Sequence, residues 1–511
     1  MSMLQYFFEN GWDITGRKME YRHLFEGLKI EGCGEKYMSQ QGKYPVIFLT
    51  LKGAKQNTWE ESFYVLKEQI ASEFDRHRFI LEDGRLAGYK TRYEKLMNGE
   101  AEDKDYNTSL AFLSRCLYTY FQEKAVILID EYDVPLETAY FNHFYDKMIS
   151  FIRSLFESAL KTNVYLNFAV LTGCLRVSKE SIFTGMNNLE IYSILAEQFS
   201  DTFGYTDADV RQICDYYQIQ GNYETIKDWY NGYLFGNTNV YNPWRVVLQA
   251  KRFAYNPKAF PIPHWANSSS NSVVRRMIDM ADTDTRNEIE RIIHGECLEK
   301  KVHEDITYDE VYESMDNLWN FMFFTGYFKT VSVRMDDVDR YVTLTIPNKE
   351  VKYIFAEKIS KWFNEKVVHQ DRSLLLQAFL KVDVPTFQEA VNKVLVQCIS
   401  YHDYYENFYH GVLTGILSGM DGYSVRSNRE SGNGRSDIYA KPVSIYEPAY
   451  GIEVKVAERA DELPKMADDA IAQIPEKNYD AELHADGYRD VIHYGIAFYG
   501  KSCLVKAEGR V

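Results

Sequence analysis

Three short, unbroken apolar runs in the N-terminal part of the chain predict strands that are buried on both faces. The runs are Pro45–Leu51, Ala125–Ile129 and Val164–Leu171. Helical patterns lie between and around them, at Thr58 to about Ile80, Thr108–Glu123 and Tyr140–Lys161. Strands that alternate with helices are typical of a parallel sheet with helices on both faces. The pattern therefore predicts an α/β domain over residues 1–200.

From about Ser200 the pattern changes to short helical pieces between segments rich in turn residues. A helix is predicted at Tyr308–Tyr327, a hairpin from Val331–Val333 and Tyr341–Ile346, and another helix after Pro347. This order of helix, hairpin and helix is compatible with a winged-helix-like module. We expect a helical region that contains this module over residues 201–370.

A third unit is predicted over residues 371–511. Its helices are expected at about 373–381, 386–400, 404–419 and 460–474, and its strands near 423–427, 435–440, 450–457 and 491–499. Helices again cover strands, so the whole chain is predicted to be a multidomain α/β protein.

Two acidic residues, Asp130 and Glu131, follow the central N-terminal strand directly. Open parallel sheets bind ligands at the carboxyl ends of their strands. In nucleotide hydrolases an aspartate at this place holds Mg²⁺, and a following glutamate can polarise the attacking water. The alternative is a central strand that ends in solvated acids, and this stretch alone does not separate the two.

A second group of candidate residues lies in the C-terminal unit. Glu453 and Lys455 are two positions apart on a predicted strand, so their side chains point to the same face. Asp437 precedes Glu453 by the length of a hairpin, Glu406 is on the helix before the sheet, and Gln473 is on the helix after it. Two acids on adjacent strands can hold a divalent metal, and a lysine beside them can stabilise a phosphoryl transition state. The alternative is a solvated face of a half-buried strand.

The charge balance limits the partners of the chain. The net charge is −16, which is not that of a protein that coats duplex nucleic acid in general. A small basic site is still compatible with it, because Arg426, Arg429 and Arg435 surround Asp437 and can steer a phosphate backbone.

The cysteines and the apolar runs bear on the compartment. Seven cysteines occur and none is part of a CxxC pair, so neither a disulfide framework nor a zinc knuckle is expected. No apolar run approaches the length of a membrane span, and no signal peptide is recognisable at the N-terminus. We expect a cytoplasmic protein that does not bind a membrane.

The C-terminal residues resemble the PD-(D/E)xK nuclease superfamily. The resemblance lies in Tyr405–His410, Ser427–Asp437, Glu453-Val-Lys455 and Ala472-Gln473. It implies a PD-(D/E)xK-like α/β domain that hydrolyses DNA or RNA. It also implies metal binding, Mg²⁺ or Mn²⁺, by Asp437 and Glu453. The catalytic set that it implies is Glu406, Asp437, Glu453, Lys455 and Gln473.

The complete chain is similar to a bacterial family that joins an AAA-ATPase-like domain to such a nuclease-like domain. The N-terminal similarity lies in Tyr44–Leu49, Val126–Asp133 and Leu171–Phe183, and further matches occur at Trp229–Tyr233 and Tyr241–Trp244. The family implies a P-loop-NTPase-like parallel sheet. It also implies ATP contacts from Asp130, Glu131, Thr172 and Arg176. From the residues alone, threonine and arginine at positions such as Thr172 and Arg176 more often cap or bridge structural elements.

A phosphate-binding loop is absent from the sequence. No Gly-x-x-x-x-Gly-Lys-[Ser/Thr] occurs in the 511 residues, although this loop supplies the main grip on the β- and γ-phosphates of ATP. ATP binding is therefore expected only if the loop is encoded upstream of Met1. Otherwise we expect the domain to be a scaffold. Two readings follow: a metal-dependent nuclease carried on an inactive ATPase-like module, or a non-enzymatic scaffold that binds nucleic acid or protein. A homo-oligomer or another protein partner is compatible with both.

Overall fold

The computed structural model describes residues 1–509 except 14–16, 175–181, 184–188, 266–271, 305, 307, 312, 370–372, 398–405, 428–437 and 477–479. The N-terminal strands are Val46–Thr50 (β1), Ala125–Asp130 (β2) and Leu166–Leu171 (β3). The helices are Ser2–Phe8 (α1), Glu35–Met38 (α2), Trp59–Arg76 (α3), Lys90–Met97 (α4), Asp103–Tyr106 (α5), Ser109–Phe121 (α6), Val134–Phe141 (α7) and Tyr145–Phe156 (α8). A π-helical turn, Glu157–Lys161, extends α8.

The three N-terminal strands form a parallel sheet in the order β1-β2-β3, which confirms the predicted topology. On one face of β2, Val126 and Leu128 pack against Leu4 and Phe8 of α1. Ile127, on the other face, belongs to the large core that α3 and α6 share. Both faces of β2 are buried because helices cover both, as the unbroken apolar run predicts.

Two of the predicted helices have different ends in the structure. The Thr58 hydroxyl caps α3 by accepting from the amide of Glu61 at 3.3 Å, but α3 ends at Arg76 and a 3₁₀ turn follows. The predicted helix from Tyr140 to Lys161 is broken before Tyr145, because His143 has a φ of +61° and cannot continue a right-handed helix.

The middle region contains eight helices and five strands among its described residues. The helices are Asp207–Tyr216 (α9), Tyr223–Tyr230 (α10), Pro243–Tyr255 (α11), Ser272–Met280 (α12), Thr283–Ile293 (α13), Tyr308–Val311 (α14), Met315–Phe324 (α15) and Lys349–His369 (α16). The strands are Tyr233–Phe235 (β4), Thr238–Val240 (β5), Leu298–Lys301 (β6), Lys329–Asp336 (β7) and Asp339–Thr345 (β8).

The elements from α13 to β8 form a winged-helix arrangement. Their order is helix, strand, helix, helix, strand, strand, and the antiparallel sheet has the order β6-β8-β7. This confirms the predicted winged-helix-like module and adds β6, whose charged sequence gave no strand signal. The single helix predicted at Tyr308–Tyr327 is wrong, since the described residues hold two helices, α14 and α15.

The C-terminal unit is a mixed five-stranded sheet with helices on both faces. Its helices are Ser373–Leu380 (α17), Val384–Gln397 (α18), Glu406–Leu417 (α19), Leu463–Glu476 (α20) and Asp480–Ala485 (α21). Its strands are Tyr423–Ser427 (β9), Ile438–Pro442 (β10), Ala449–Val456 (β11), Val491–Tyr499 (β12) and Ser502–Glu508 (β13). The order is β13-β12-β11-β10-β9, with β11 and β12 parallel and the other neighbours antiparallel.

Within the described part of the chain, every helix is too short or too polar for a passage through a lipid bilayer.

Candidate functional site

Strand β11 separates two different environments in the C-terminal unit. Ile452 and Val454 are fully buried on the face that α17 and α19 cover. On the same face of β12, Tyr494 stacks on Phe379 of α17, with ring centroids 4.6 Å apart. Phe498 stacks on Tyr409 of α19 at 4.4 Å. The alternate residues of β11, which include Glu453 and Lys455, therefore point to the opposite face.

Glu453 lies on this opposite face and its side chain is only 3% exposed. Its register partner on β12 is Gly495. A Cβ atom at Gly495 would lie 2.8 Å from the amide nitrogen of Ile471 and 2.9 Å from the carbonyl oxygen of Ala467, both on α20. Helix α20 therefore packs directly on the backbone of β12, beside the Glu453 carboxyl group. The solvated-face alternative is wrong for Glu453.

Lys455 extends from the same face toward the end of the strand. Its side chain is 27% exposed, and its Nζ is 3.6 Å from Oε1 of Glu453. The predicted common face of the two residues is thus confirmed by their contact. The pair combines a buried carboxylate with an ammonium group that solvent can reach.

Gln473 lies on the flank of α20 that faces β11. The opposite flank of α20 faces β13, the strand on the other side of β12 from β11. There Asp468 forms an ion pair with Lys506 of β13. With about 3.6 residues per helical turn, the buried positions Ala467 and Ile471 lie between Asp468 and Gln473 around the helix axis. Gln473 is half-buried and is on the same side of the helix as Glu453.

Two members of the predicted catalytic set are not described in full. Asp437 and the side chain of Glu406 lie outside the described residues, although Glu406 begins α19. Asp437 is bonded to Ile438, and Ile438 is the register partner of Ile452, the residue before Glu453. The described residues contain no group of three His, Cys, Asp or Glu side chains arranged for a metal ion.

Arg426 is the one residue of the predicted basic group that the structure describes. It is exposed on the edge strand β9 and pairs in register with Tyr439, which pairs in turn with Gly451. Gly451 and Glu453 share a face of β11, so Arg426 lies on the same face of the sheet as Glu453. Arg429 and Arg435 lie outside the described residues.

The N-terminal candidates meet at the carboxyl edge of the parallel sheet. The Thr172 hydroxyl donates to Oδ1 of Asp130 at 2.5 Å. Glu131 has a φ of +53°, and its Oε1 is 3.9 Å from the exposed Nζ of Lys52. Arg176 lies outside the described residues. Asp130, Glu131 and Thr172 therefore lie together at this edge, and the Thr172 hydroxyl is hydrogen-bonded to the carboxylate of Asp130.

Asp133 is a residue of this edge that the sequence analysis did not single out. It is 1% exposed, and its Oδ2 accepts from the amide of Cys174 at 2.9 Å. A Cβ atom at Gly173 would lie 2.7 Å from Asp133 Oδ1. Asp133 thus holds the loop after β3 against the end of β2. The signal in the sequence was an acid directly before the helix start Val134-Pro135, a position that usually indicates a cap.

Comparisons with known proteins agree with both parts of the resemblance. Residues 1–183 match the family model described as a predicted AAA-ATPase, and residues 404–508 match the PD-(D/E)XK nuclease superfamily. A protein of Azotobacter chroococcum mcd 1, described as an uncharacterized protein in the vnfD 5' region, is 24% identical over 442 residues. The match covers 84% of this chain and 79% of that relative. No solved structure matches the chain.

Proposed function

We propose that the C-terminal sheet is the catalytic unit of a divalent-metal-dependent nuclease that hydrolyses DNA or RNA phosphodiesters. The observation that carries the proposal is the buried carboxylate of Glu453, 3.6 Å from the ammonium group of Lys455. Carboxylate oxygens are the ligands that hard divalent cations prefer, so Glu453 is suited to hold such an ion beside Lys455. The nuclease superfamily match supports that use.

The residues fit a hard metal ion. Glu453 supplies carboxylate oxygens, and we propose that Asp437, bonded to the register partner of Ile452, supplies the second carboxylate. Oxygen ligands of this kind suit Mg²⁺ or Mn²⁺. When bound, such an ion lowers the pKa of coordinated water and neutralises charge on a phosphodiester.

The protein groups have separate roles in this proposal. The partly exposed ammonium group of Lys455 can donate a hydrogen bond to the attacking water or to a phosphoryl oxygen as negative charge develops there. Gln473, on the flank of α20 that faces β11, orients the same water or the Glu453 carboxyl group. Glu406, at the start of α19, supports the site, and Arg426 contacts the substrate backbone from β9.

A cleavage assay with single- and double-stranded DNA and RNA, with Mg²⁺ or Mn²⁺, tests the proposal. Lys455→Ala and Glu453→Gln should each lower the cleavage rate at least about 100-fold, since each removes charge stabilisation at the reaction centre. The matched control is Lys506→Ala, which removes a lysine of the same sheet face that pairs with Asp468, and it should retain activity. Absence of cleavage of every substrate by the wild type would refute the nuclease.

A second measurement is independent of cleavage. Mn²⁺ should raise the melting temperature of the wild type and of Lys506→Ala, because a ligand that binds only the folded state stabilises it. Glu453→Gln should lose this shift. An equal rise of the melting temperature in all three proteins would show that Mn²⁺ binds away from Glu453.

For the N-terminal module, we propose that the 511-residue chain turns over ATP poorly and that the module is a scaffold. Two observations support this. The sequence contains no phosphate-binding loop, and Asp130 already accepts a hydrogen bond from Thr172. Asp130, Glu131, Thr172 and Arg176 remain the residues that would contact ATP if a loop were supplied. ATP turnover by the purified chain that disappears in Glu131→Gln would refute the scaffold.

A non-enzymatic function for the whole chain is the second candidate. The N-terminal module favours it, because its sequence contains no phosphate-binding loop. In that case the C-terminal sheet would bind nucleic acid without cleaving it. Filter binding and cleavage of the same substrates, measured for the wild type and for Arg426→Ala, separate the nuclease from the scaffold. A scaffold would bind the nucleic acid but never cut it.

A further inference from the structure

The middle region contains a long segment without acidic residues. Between Asp228 and Asp279 the sequence has no Asp or Glu, although 74 of the 511 residues of the chain are acidic. The segment includes β4, β5, α11 and the loop that follows α11. Its lysines and arginines therefore create a local positive charge in a chain whose net charge is −16.

Three basic side chains of this segment are exposed and have no acidic partner. They are Lys251 and Arg252 of α11 and Lys258 of the following loop. The ion pairs of the neighbouring elements are formed by other residues, namely Arg211 with Asp207, Arg245 with Glu350 and Lys349 with Asp228. Within the part of the chain that the structure describes, no carboxylate pairs with the three exposed side chains, so their charges face solvent.

Three large aromatic side chains are exposed beside these charges. Trp244 and Tyr255 of α11 are 53% and 94% exposed, and Phe260 of the loop is 86% exposed. With about 3.6 residues per helical turn, Trp244, Lys251 and Tyr255 lie within about 40° of one another around the axis of α11. The two aromatic rings and the lysine between them therefore form one stripe, about 16 Å long, on the solvent face of the helix.

The loop after α11 lies back along the helix. Its His264 ring nitrogen is 3.2 Å from Oε1 of Gln249, and the His264 ring meets the Trp244 ring edge-on with centroids 6.1 Å apart. Because the loop starts at the end of α11 and returns to its first turns, Lys258 and Phe260 lie beside the helix. The α11 surface thus consists of Trp244, Lys251, Arg252, Tyr255, Lys258 and Phe260.

We propose that the α11 surface binds a single-stranded nucleic acid, with bases stacked on the aromatic rings and phosphates paired with the basic side chains. A single strand exposes the faces of its bases, whereas a duplex keeps them stacked inside, so a single strand is the form that can use three projecting rings. The positive charges match the phosphate backbone. The proposal rests on the proposed nuclease in one respect, since it names the form of nucleic acid that such an enzyme would hold.

A lipid surface fits the α11 surface less well. A helix that lies on a membrane inserts its apolar face into the headgroup region. The apolar face of α11, with Val246, Ala250 and Phe253, is instead buried in a core that α9 and α10 share. An anionic vesicle is therefore the alternative that the experiment excludes.

Fluorescence anisotropy on the full chain in EDTA, with a labelled oligothymidine of about 20 nucleotides, tests the aromatic residues. Tyr255→Ala and Phe260→Ala should each weaken binding at least about 5-fold, because a base loses its stacking partner. Tyr255→Phe keeps the ring and should bind like the wild type. The control is Tyr64→Ala, a 59% exposed tyrosine of α3 beside Glu60 and Glu61, and it should change nothing.

The salt dependence of the same binding tests the basic residues. Lys251→Ala, Arg252→Ala and Lys258→Ala, combined in one variant, should weaken binding and reduce the slope of log K against log salt concentration by about 2, since each phosphate contact contributes about 0.7. The control is Lys393→Ala, whose lysine is engaged by Glu389 at 2.8 Å, and its slope should equal that of the wild type.

Binding without metal separates this proposal from the nuclease. A chain that binds the oligothymidine through the α11 surface but cuts no substrate would refute the nuclease alone. A wild type that does not bind it, α11 variants that bind it as tightly as the wild type, or tighter binding of a duplex of the same length would each overturn the proposal. Binding of phosphatidylserine vesicles in place of the oligothymidine would also overturn it. The side chains are exposed, so unchanged melting temperatures should show that the variants keep their fold.

Discussion

Gly232 lies so close to Pro347 that a Cβ atom at residue 232 would be 2.1 Å from the Pro347 carbonyl oxygen. Beside this contact, Nδ2 of Asn348 donates to the carbonyl oxygen of Asn231 at 2.8 Å. The backbone after α10 therefore meets the start of α16 without room for a side chain. Gly232 also has a φ of +105°, which other residues rarely adopt.

Gly232→Ala should destabilise the protein by about 2–4 kcal/mol, because it adds both a steric clash and backbone strain. Thermal unfolding followed by circular dichroism checks this. The control is Gly27→Ala, at a φ of +74° with nothing within 4 Å of its Cβ position, which has the backbone strain without the clash. Equal losses of stability in the two variants would show that the contact with Pro347 contributes nothing.

The ion pair between Arg245 of α11 and Glu350 of α16 is predicted to be important for stability because it is buried. The two groups are 2.9 Å apart and only 7% and 0% exposed. Burial raises the pKa of Glu350, and the charge of Arg245 opposes this. Glu350→Ala would leave a buried guanidinium without its acid, so a loss of about 3–5 kcal/mol is expected from denaturant unfolding.

The neighbouring residue supplies the control for this prediction. Lys349 forms a pair of nearly the same length, 2.8 Å, with Asp228, but both partners are more than half exposed. Lys349→Ala should change the stability by at most about 1 kcal/mol. A similar effect of both substitutions would contradict the role given to burial.

The packing of α20 on β12 predicts a stability loss at Gly495. Gly495→Ala places a methyl group against backbone atoms of α20 at 2.8 and 2.9 Å, so the helix must shift away from Glu453. We expect a lower melting temperature and a lower cleavage rate together. Gly411→Ala, inside α19 with nothing within 4 Å of its Cβ position, should leave the cleavage rate unchanged and should not lower the melting temperature, because alanine is the better helix former. A fully active Gly495→Ala would mean that α20 does not shape the site.

The buried cluster at the outer edge of β1 predicts a pH dependence. Glu73 accepts from the amide of Phe48 at 2.8 Å and from Arg76, which also binds Glu9. Burial alone would raise the pKa of Glu73, but the charge and hydrogen bonds of Arg76 outweigh it and lower the pKa from 4.5 to about 2. The ionised group therefore stabilises the fold above its unfolded pKa, by about 3 kcal/mol.

This stabilisation should disappear as the pH falls from about 4.5 toward about 2. Glu73→Gln should be less stable than the wild type at neutral pH, and the difference in melting temperature should shrink over that acidic interval. Glu60→Gln, in the exposed first turn of α3, is the control and should show no such change. If the difference in melting temperature between Glu73→Gln and the wild type stayed constant down to acidic pH, the ionised Glu73 carboxylate would not be the source of this stability.

Local patterns in the sequence were sufficient for the three N-terminal strands and for most strands of the C-terminal sheet, but β4, β5 and β13 were not predicted. The apolar run of β2 predicted burial on both faces, and the two-residue spacing of Glu453 and Lys455 predicted their contact. Both are consequences of strand geometry, which alternates side chains regardless of the rest of the fold. The polar strand β6 was missed because its pairing with β8 comes from a distant part of the chain.

The sequence by itself determined the α/β character of the chain, the parallel N-terminal sheet, the two resemblances and the residues that carry the candidate chemistry. Only the tertiary structure decided that Glu453 is buried, since this depends on α20 packing on Gly495 of the neighbouring strand. Only the structure joined Thr172 to Asp130 and placed Gly232 against Pro347. Burial and close packing arise from contacts between residues far apart in the chain, and local sequence patterns do not contain them.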